Sequence, residues 1–140
     1  MTTPLNYKAL TQDHVNYATT TAETGRLSEL MAVQALIRNG YEVAEPVVTS
    51  AHDLLIRRPG KRHYERAQVK TVYVRQDRGG ALVVSGAKNS GKPYSIEEAD
   101  VIIGVDRFDV YVIENASQRE YWAQNETIAA GKWTKLSLFA

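Results

Sequence analysis

The sequence contains no cysteine. That absence removes disulfides, thiolate metal sites and cysteine nucleophiles together, and it suits a reducing cytoplasm. Long apolar runs are missing as well. Stretches such as ALVVS and VIIGV fall far short of the roughly 20 residues a membrane helix needs, and the opening MTTPLNYKALTQDH is too polar for a secretory leader. A soluble cytoplasmic protein with no membrane partner is therefore expected. A large charge of either sign is also lacking: the net charge is +1, so a nucleic-acid surface would have to come from uneven distribution. There is no internal repeat and no low-complexity segment. GAKNSGKPY lacks the spacing of a phosphate-binding P-loop, which argues against nucleoside triphosphates. His14, His52 and His63 have no ligand-like spacing and read as ordinary polar residues.

What is present suits one domain. The chain has 140 residues, 44% of them hydrophobic, enough for a single ordinary core spanning residues 1–140. Residues 1–22 are polar and threonine-rich, with a short helix suggested around QDHVNYA. GRLSELMAVQALIRNG predicts a helix stopped at Gly40. YEVAEPV, DLLIRR and YERAQVKTVYVR follow as strands, the last two joined by a Pro-Gly turn, and ALVVS is another. Ser95 and Glu98 have the spacing of a capping box and predict a brief helix. VIIGV, VYVIE and EYWA are further strands, and NETIAAGKWTKLSLFA predicts a short helix and a tail. This order gives an α/β (α+β) fold with a mixed sheet.

Charge is unevenly spread. Arg57, Arg58, Lys61, Arg62 and Arg66 gather around the Pro-Gly turn, with Lys88 and Lys92 following, whereas acids concentrate after residue 96. A run of this kind at a hairpin tip is often no more than a solvated surface; it would also serve to grip phosphate.

Three polar residues sit where core strands are expected. Gln68 and Lys70 flank Val69 and point to one face, because strand side chains alternate. Asp53 opens the preceding strand, and pairing of the two strands would bring all three to one sheet edge. On the helix, Leu30, Val33, Leu36 and Ile37 share an arc at about 100° per residue, and Glu29 falls inside it. A carboxylate there must snorkel, bind something or sit at an exposed first turn favoured by the helix dipole. Singly, Asp53 could cap a turn, Gln68 could be a satisfied amide and Lys70 a solvated lysine. Jointly they have one chemical explanation: two carboxylates and an amide oxygen are hard ligands suited to Mg²⁺, with Lys70 beside the metal to position water and stabilise charge on a phosphate.

Glu29, Asp53 and Gln68-Val69-Lys70, in that order and with GYEVAEP between helix and acid, resemble the PD-(D/E)XK nuclease superfamily. The stretches GRLSELMAVQALIRNGYEVAEP, AQVKT and EEADVIIGVDRFDVYVIEN are more specifically similar to its small bacterial and phage branch of group I intron homing endonucleases. Archaeal Holliday-junction resolvases are a more distant likeness. The resemblance covers roughly residues 25–128 and implies a restriction-endonuclease-like core, a central mixed sheet flanked by helices. It implies Mg²⁺-dependent hydrolysis of DNA, with Mn²⁺ substituting, in a bacterial or phage-infected cell. It also implies roles: Asp53 as principal metal ligand, Gln68 and the Val69 carbonyl as secondary ligands, Lys70 beside the attacking water, and Glu29 orienting Lys70 or an outer water. Arg57, Arg58, Lys61, Arg62, Arg66, Lys88 and Lys92 would contact DNA. Cutting two strands, at a duplex or a junction, calls for two sites and so for a homo-oligomer. Ala51-His52 stands where the family has a proline, and Gln68 stands for the commoner Glu, leaving the site one negative charge poorer. A non-catalytic DNA-binding module on the same fold is the alternative; a small-molecule enzyme has no cofactor fingerprint behind it.

Overall fold

The computed structural model describes residues 20–107 and 109–138; the helix suggested around QDHVNYA lies outside them. Helix α1 (Thr21–Arg38) starts four residues before the predicted Gly25, because the Thr20 side chain caps it by accepting from the Glu23 N–H. Six strands build the main sheet: β1 (Glu42–Ala44), β2 (Leu54–Arg57), β3 (Glu65–Thr71), β6 (Val101–Asp106), β7 (Asp109–Glu114) and β9 (Thr134–Ser137). They lie in the order β1-β2-β3-β6-β7-β9. All neighbours are antiparallel except β3 and β6, which run parallel with Lys70 opposite Gly104. A parallel pair needs a long crossover, and here the crossover carries β4 (Tyr73–Arg75) and β5 (Ala81–Ser85), which form a second, three-stranded sheet with the later β8 (Glu120–Ala123) in the order β4-β5-β8. Helix α2 (Glu126–Lys132) leads into β9, so the predicted tail is an edge strand. This is the mixed α+β architecture that the sequence pattern predicts.

Three layers result. One face of β6 presents Val101, Ile103 and Val105 to α1, together with Ala67 and Val69 of β3 and Leu54 and Ile56 of β2. The other presents Ile102 to a second core with Val72, Leu82, Val84, Tyr111 and Tyr121. Being covered on both sides is why VIIGV is uniformly apolar rather than alternating.

Three predicted features differ. The long strand YERAQVKTVYVR is two strands in two sheets. Val72, whose N–H still donates to the Val105 carbonyl at 2.8 Å, is the point of exchange; both halves are strand-like, so nothing in the pattern marks the break. Ser95 and Glu98 do form the reciprocal bonds of a capping box, Ser95 N–H to Glu98 Oε1 at 3.0 Å and Glu98 N–H to Ser95 Oγ at 3.3 Å, but around a turn rather than a helix. The helix arc is also displaced. Leu30 and Ile37 are 48% and 59% exposed, and the buried residues are Ser28, Ala32, Ala35 and Leu36. Small side chains let α1 lie close on the sheet, and Ser28 Oγ meets Thr71 Oγ1 at 2.6 Å. Glu29 thus borders the buried face instead of sitting within an apolar arc.

Gly104 lets the second sheet close over the first. A Cβ there would lie 2.9 Å from Val84 Cγ2 and 3.0 Å from Val72 Cγ2, both on stiff branched side chains in the core. Gly104→Ala is expected to cost about 1 to 3 kcal/mol through overpacking, read as a lowered denaturation midpoint; unchanged stability would mean that the two sheets separate easily.

Candidate active site

The site forms just before the first residue of β2. Leu54 pairs with Ala67, and the Asp53 N–H adds one more ladder bond to the Ala67 carbonyl at 2.9 Å. Beyond that point β3 continues without β2 beside it. Asp53 fills the gap with its side chain: Oδ2 accepts from the Val69 N–H at 3.0 Å and from Gln68 Nε2 at 2.8 Å. Ala67 and Val69, two apart in a strand, direct their backbone groups to the same side, so the Val69 carbonyl also faces the edge that β2 leaves open. Gln68 and Lys70 share the sheet face opposite Val69, which packs under α1. The adjacency of Asp53, Gln68 and Lys70 expected from strand pairing is therefore present.

Lys70 runs under the loop after β5. Its Nζ donates to the Ala87 carbonyl at 3.2 Å and lies 5.3 Å from the centroid of the Tyr94 ring. Burial is the largest influence on both charged groups. It pushes the Asp53 carboxyl above its ordinary value, an effect increased by Glu29 and opposed by the Val69 N–H, Lys70 and His52. It pushes the Lys70 amine below its ordinary value, opposed by Asp53. Each is held where its charge is poorly solvated; Asp53 is relieved first by the Val69 N–H and then by Lys70, and Lys70 by Asp53.

Glu29 is reached across a cleft of about 300 Å³ that it lines with Asp53, His52, Glu45 and Arg26. Its side chain is 29% exposed and accepts from Arg26 Nη1 at 3.0 Å. Among the described residues no three His, Asp or Glu side chains are placed to hold a metal ion. The oxygens available at this strand end are mixed: the Asp53 carboxylate, the Val69 carbonyl, and the amide oxygen of Gln68, whose Nε2 is turned to Asp53. One carboxylate and two neutral oxygens, with Glu29 across the cleft, fit a hard cation that retains several waters.

The basic residues divide into two groups. Arg57 is bound to Glu42 and to the Lys61 carbonyl. Arg58 makes a forked pair with Glu65 at 2.7 and 3.2 Å and reaches Glu114 at 2.5 Å. Lys88 pairs with Glu98 at 3.0 Å, and Arg66 donates to the Glu97 carbonyl at 2.7 Å. Lys61, Arg62 and Lys92 are exposed and make no ion pair among the described residues. Tyr94, Ala87, His52, Glu45 and Arg26 had no assigned role in the sequence. Only the need of a half-buried Lys70 for support could have pointed to the first two.

The sequence matches no protein-family model and no curated protein. In fold the chain is similar to a solved bacterial homing endonuclease, I-Ssp6803I, with a TM-score of 0.58 and 17% identity over 81% of this chain and 86% of that one. At that identity the likeness concerns architecture: this chain has the mixed α+β fold of a homing endonuclease.

Proposed function

We propose that the protein is a Mg²⁺-dependent DNA endonuclease of the PD-(D/E)XK type that hydrolyses phosphodiester bonds. The observation that carries the proposal is the Asp53 carboxylate just before β2, bonded to the Gln68 amide and the Val69 N–H beside Lys70. The homing-endonuclease fold supports it. A bound Mg²⁺, held by Asp53, Gln68 and the Val69 carbonyl, would supply Lewis acidity toward the scissile phosphate. The chain's own groups do the rest. Val69 and Gln68 fix the Asp53 carboxylate in one orientation. Lys70 places a compact positive charge where the attacking water and the phosphate meet, and Glu29 orients an outer water from across the cleft. Cutting both strands of a duplex or a junction would take two such chains, so a homo-oligomer is part of the proposal. Among the described residues no group of three His, Asp or Glu side chains is placed to hold a metal ion, which favours one rival reading, a DNA-binding module without cleavage.

Asp53→Ala and Lys70→Ala should each lower cleavage by at least about 100-fold, the scale of losing one transition-state-stabilising group, with the fold retained by circular dichroism. Full Mg²⁺-dependent cleavage by either variant would sink the assignment. DNA binding by the wild type with no cleavage of duplex, junction or single strands in Mg²⁺ or Mn²⁺ would favour the binding module. Gln68→Ala should need more Mg²⁺ for half-maximal rate, and Gln68→Glu less.

Burial makes Asp53 a destabilising residue at neutral pH. Its folded pKa is raised above the unfolded value, so the penalty is complete above the folded pKa and disappears below the unfolded one, where both states are protonated. Asn at this position can still accept from Gln68 and Val69 through its one oxygen. Asp53→Asn should therefore melt at a higher temperature than wild type at pH 7, with the difference shrinking as pH falls through the carboxylate range. Equal melting at both pH values would remove the electrostatic cost.

The free cations are the expected phosphate contacts. Each neutralised phosphate contributes about 0.9 to the slope of log affinity against log salt on duplex DNA. Changing Lys61 and Arg62 to Ala should therefore flatten that slope by up to about two units. Arg58→Ala should instead act mainly on stability, because Arg58 ties the hairpin to Glu65 and Glu114. A double variant with wild-type slope and affinity would make the hairpin tip a solvated surface only.

A further inference from the structure

We propose that Tyr94 is a positioning residue for Lys70: its ring face and the Ala87 carbonyl together hold the amine beside the Asp53 end of β3. The proposal rests on Lys70 belonging to the site proposed above. Lysine has a flexible four-carbon stem and a strongly hydrated head, and left alone it extends toward water. Here the head is retained by two contacts from one loop, the Ala87 carbonyl at 3.2 Å and the Tyr94 ring at 5.3 Å. A carbonyl fixes one N–H direction, and an aromatic face attracts the cation from a second.

The loop is built to hold those contacts still. Ala87 bridges to Pro93, the Lys88 N–H donates to the Lys92 carbonyl at 2.8 Å, and the Ala87 N–H donates to Ser85 Oγ at 3.2 Å. Tyr94 is 8% exposed, and its N–H donates to the Gly86 carbonyl at 3.0 Å. Behind it stands Asn115, a buried amide whose Nδ2 donates to the carbonyls of Tyr94, Ser95 and Ala99 at 3.1, 3.2 and 2.8 Å. Tyr121 in turn donates its hydroxyl to Asn115 Oδ1 at 2.9 Å. Gly86 seats the loop: a Cβ there would fall 2.2 Å from the Gln118 carbonyl oxygen. The placement of the amine is thus set by the far ends of β7 and β8, through Asn115 and Tyr94, and not by β3 alone.

A tyrosine that only fills the second core would be replaceable by an aliphatic residue without effect on Lys70. The experiment compares wild type, Tyr94→Phe and Tyr94→Leu, with Tyr94→Met taken if the leucine variant does not fold. Lys70 mobility is read by ¹³Cε relaxation with labelled lysine, and kcat and KM are read on cleaved DNA. Phenylalanine keeps the ring face and should keep both Lys70 order and kcat. The aliphatic variant should release the Lys70 side chain and lower kcat by roughly tenfold to 100-fold, the scale of a small misplacement, with KM little changed. Unchanged Lys70 relaxation in a folded aliphatic variant overturns the proposal, as does a phenylalanine variant that behaves like the aliphatic one. If the wild type cleaves no DNA, the nuclease reading fails by itself, and the relaxation comparison still decides whether Tyr94 positions the amine.

Discussion

Everything at the site depends on one carboxylate oxygen. Asp53 Oδ2 accepts two hydrogen bonds, from the Gln68 amide and the Val69 N–H, and by doing so it continues the β2–β3 pairing past the last backbone ladder bond. A side chain has taken the place of the next strand residue. That substitution marks the start of β2, orients Gln68 and leaves the Val69 carbonyl facing the edge without a strand partner. A carboxylate in such a position is desolvated, and Lys70 on the same strand is desolvated with it. Half-buried opposed charges of this kind occur both at sites arranged for chemistry and in structural ion pairs.

The rest of the fold keeps that strand end in place. β3 is antiparallel to β2 on one side and parallel to β6 on the other, and both faces of β6 are buried in separate cores. The parallel pair obliges the chain to make a long crossover, and that crossover supplies two strands of the second sheet and the loop after them, the same loop that reaches back over Lys70. Topology and site are thus coupled: the segment that makes a parallel pair possible also supplies the contacts to the amine.

Much of this was legible in the sequence. VIIGV, VYVIE and EYWA read directly as strands because their apolar content and turn boundaries leave few alternatives, and the Asp53, Gln68 and Lys70 grouping followed from the alternation of side chains together with pairing of the two strands. The helix face did not. Leu30 and Ile37 outweigh alanine on any hydrophobicity scale, yet Ala32 and Ala35 are the ones buried, since close approach to a sheet selects for small volume. The division of YERAQVKTVYVR was equally hidden, because a strand changing sheets keeps a strand's composition. The basic cluster could be counted but not apportioned: which cations are bound internally depends on Glu42, Glu65, Glu98 and Glu114, and Glu114 meets an arginine 56 residues away.

Strand β1 has only three residues, pairs no further than Ala44 with Leu55, and is followed by Pro46. A sheet ordinarily exposes its outermost strand as a template on which another chain can add, and long, flat, apolar edges are where aggregation begins. Here that template is too short and too charged, with Glu42 tied to Arg57 and to the Tyr64 hydroxyl. The same brevity is what uncovers Asp53, since a longer β1 would run on beside it. Protection of this sheet edge against strand addition and access to the acid are consequences of one early strand ending.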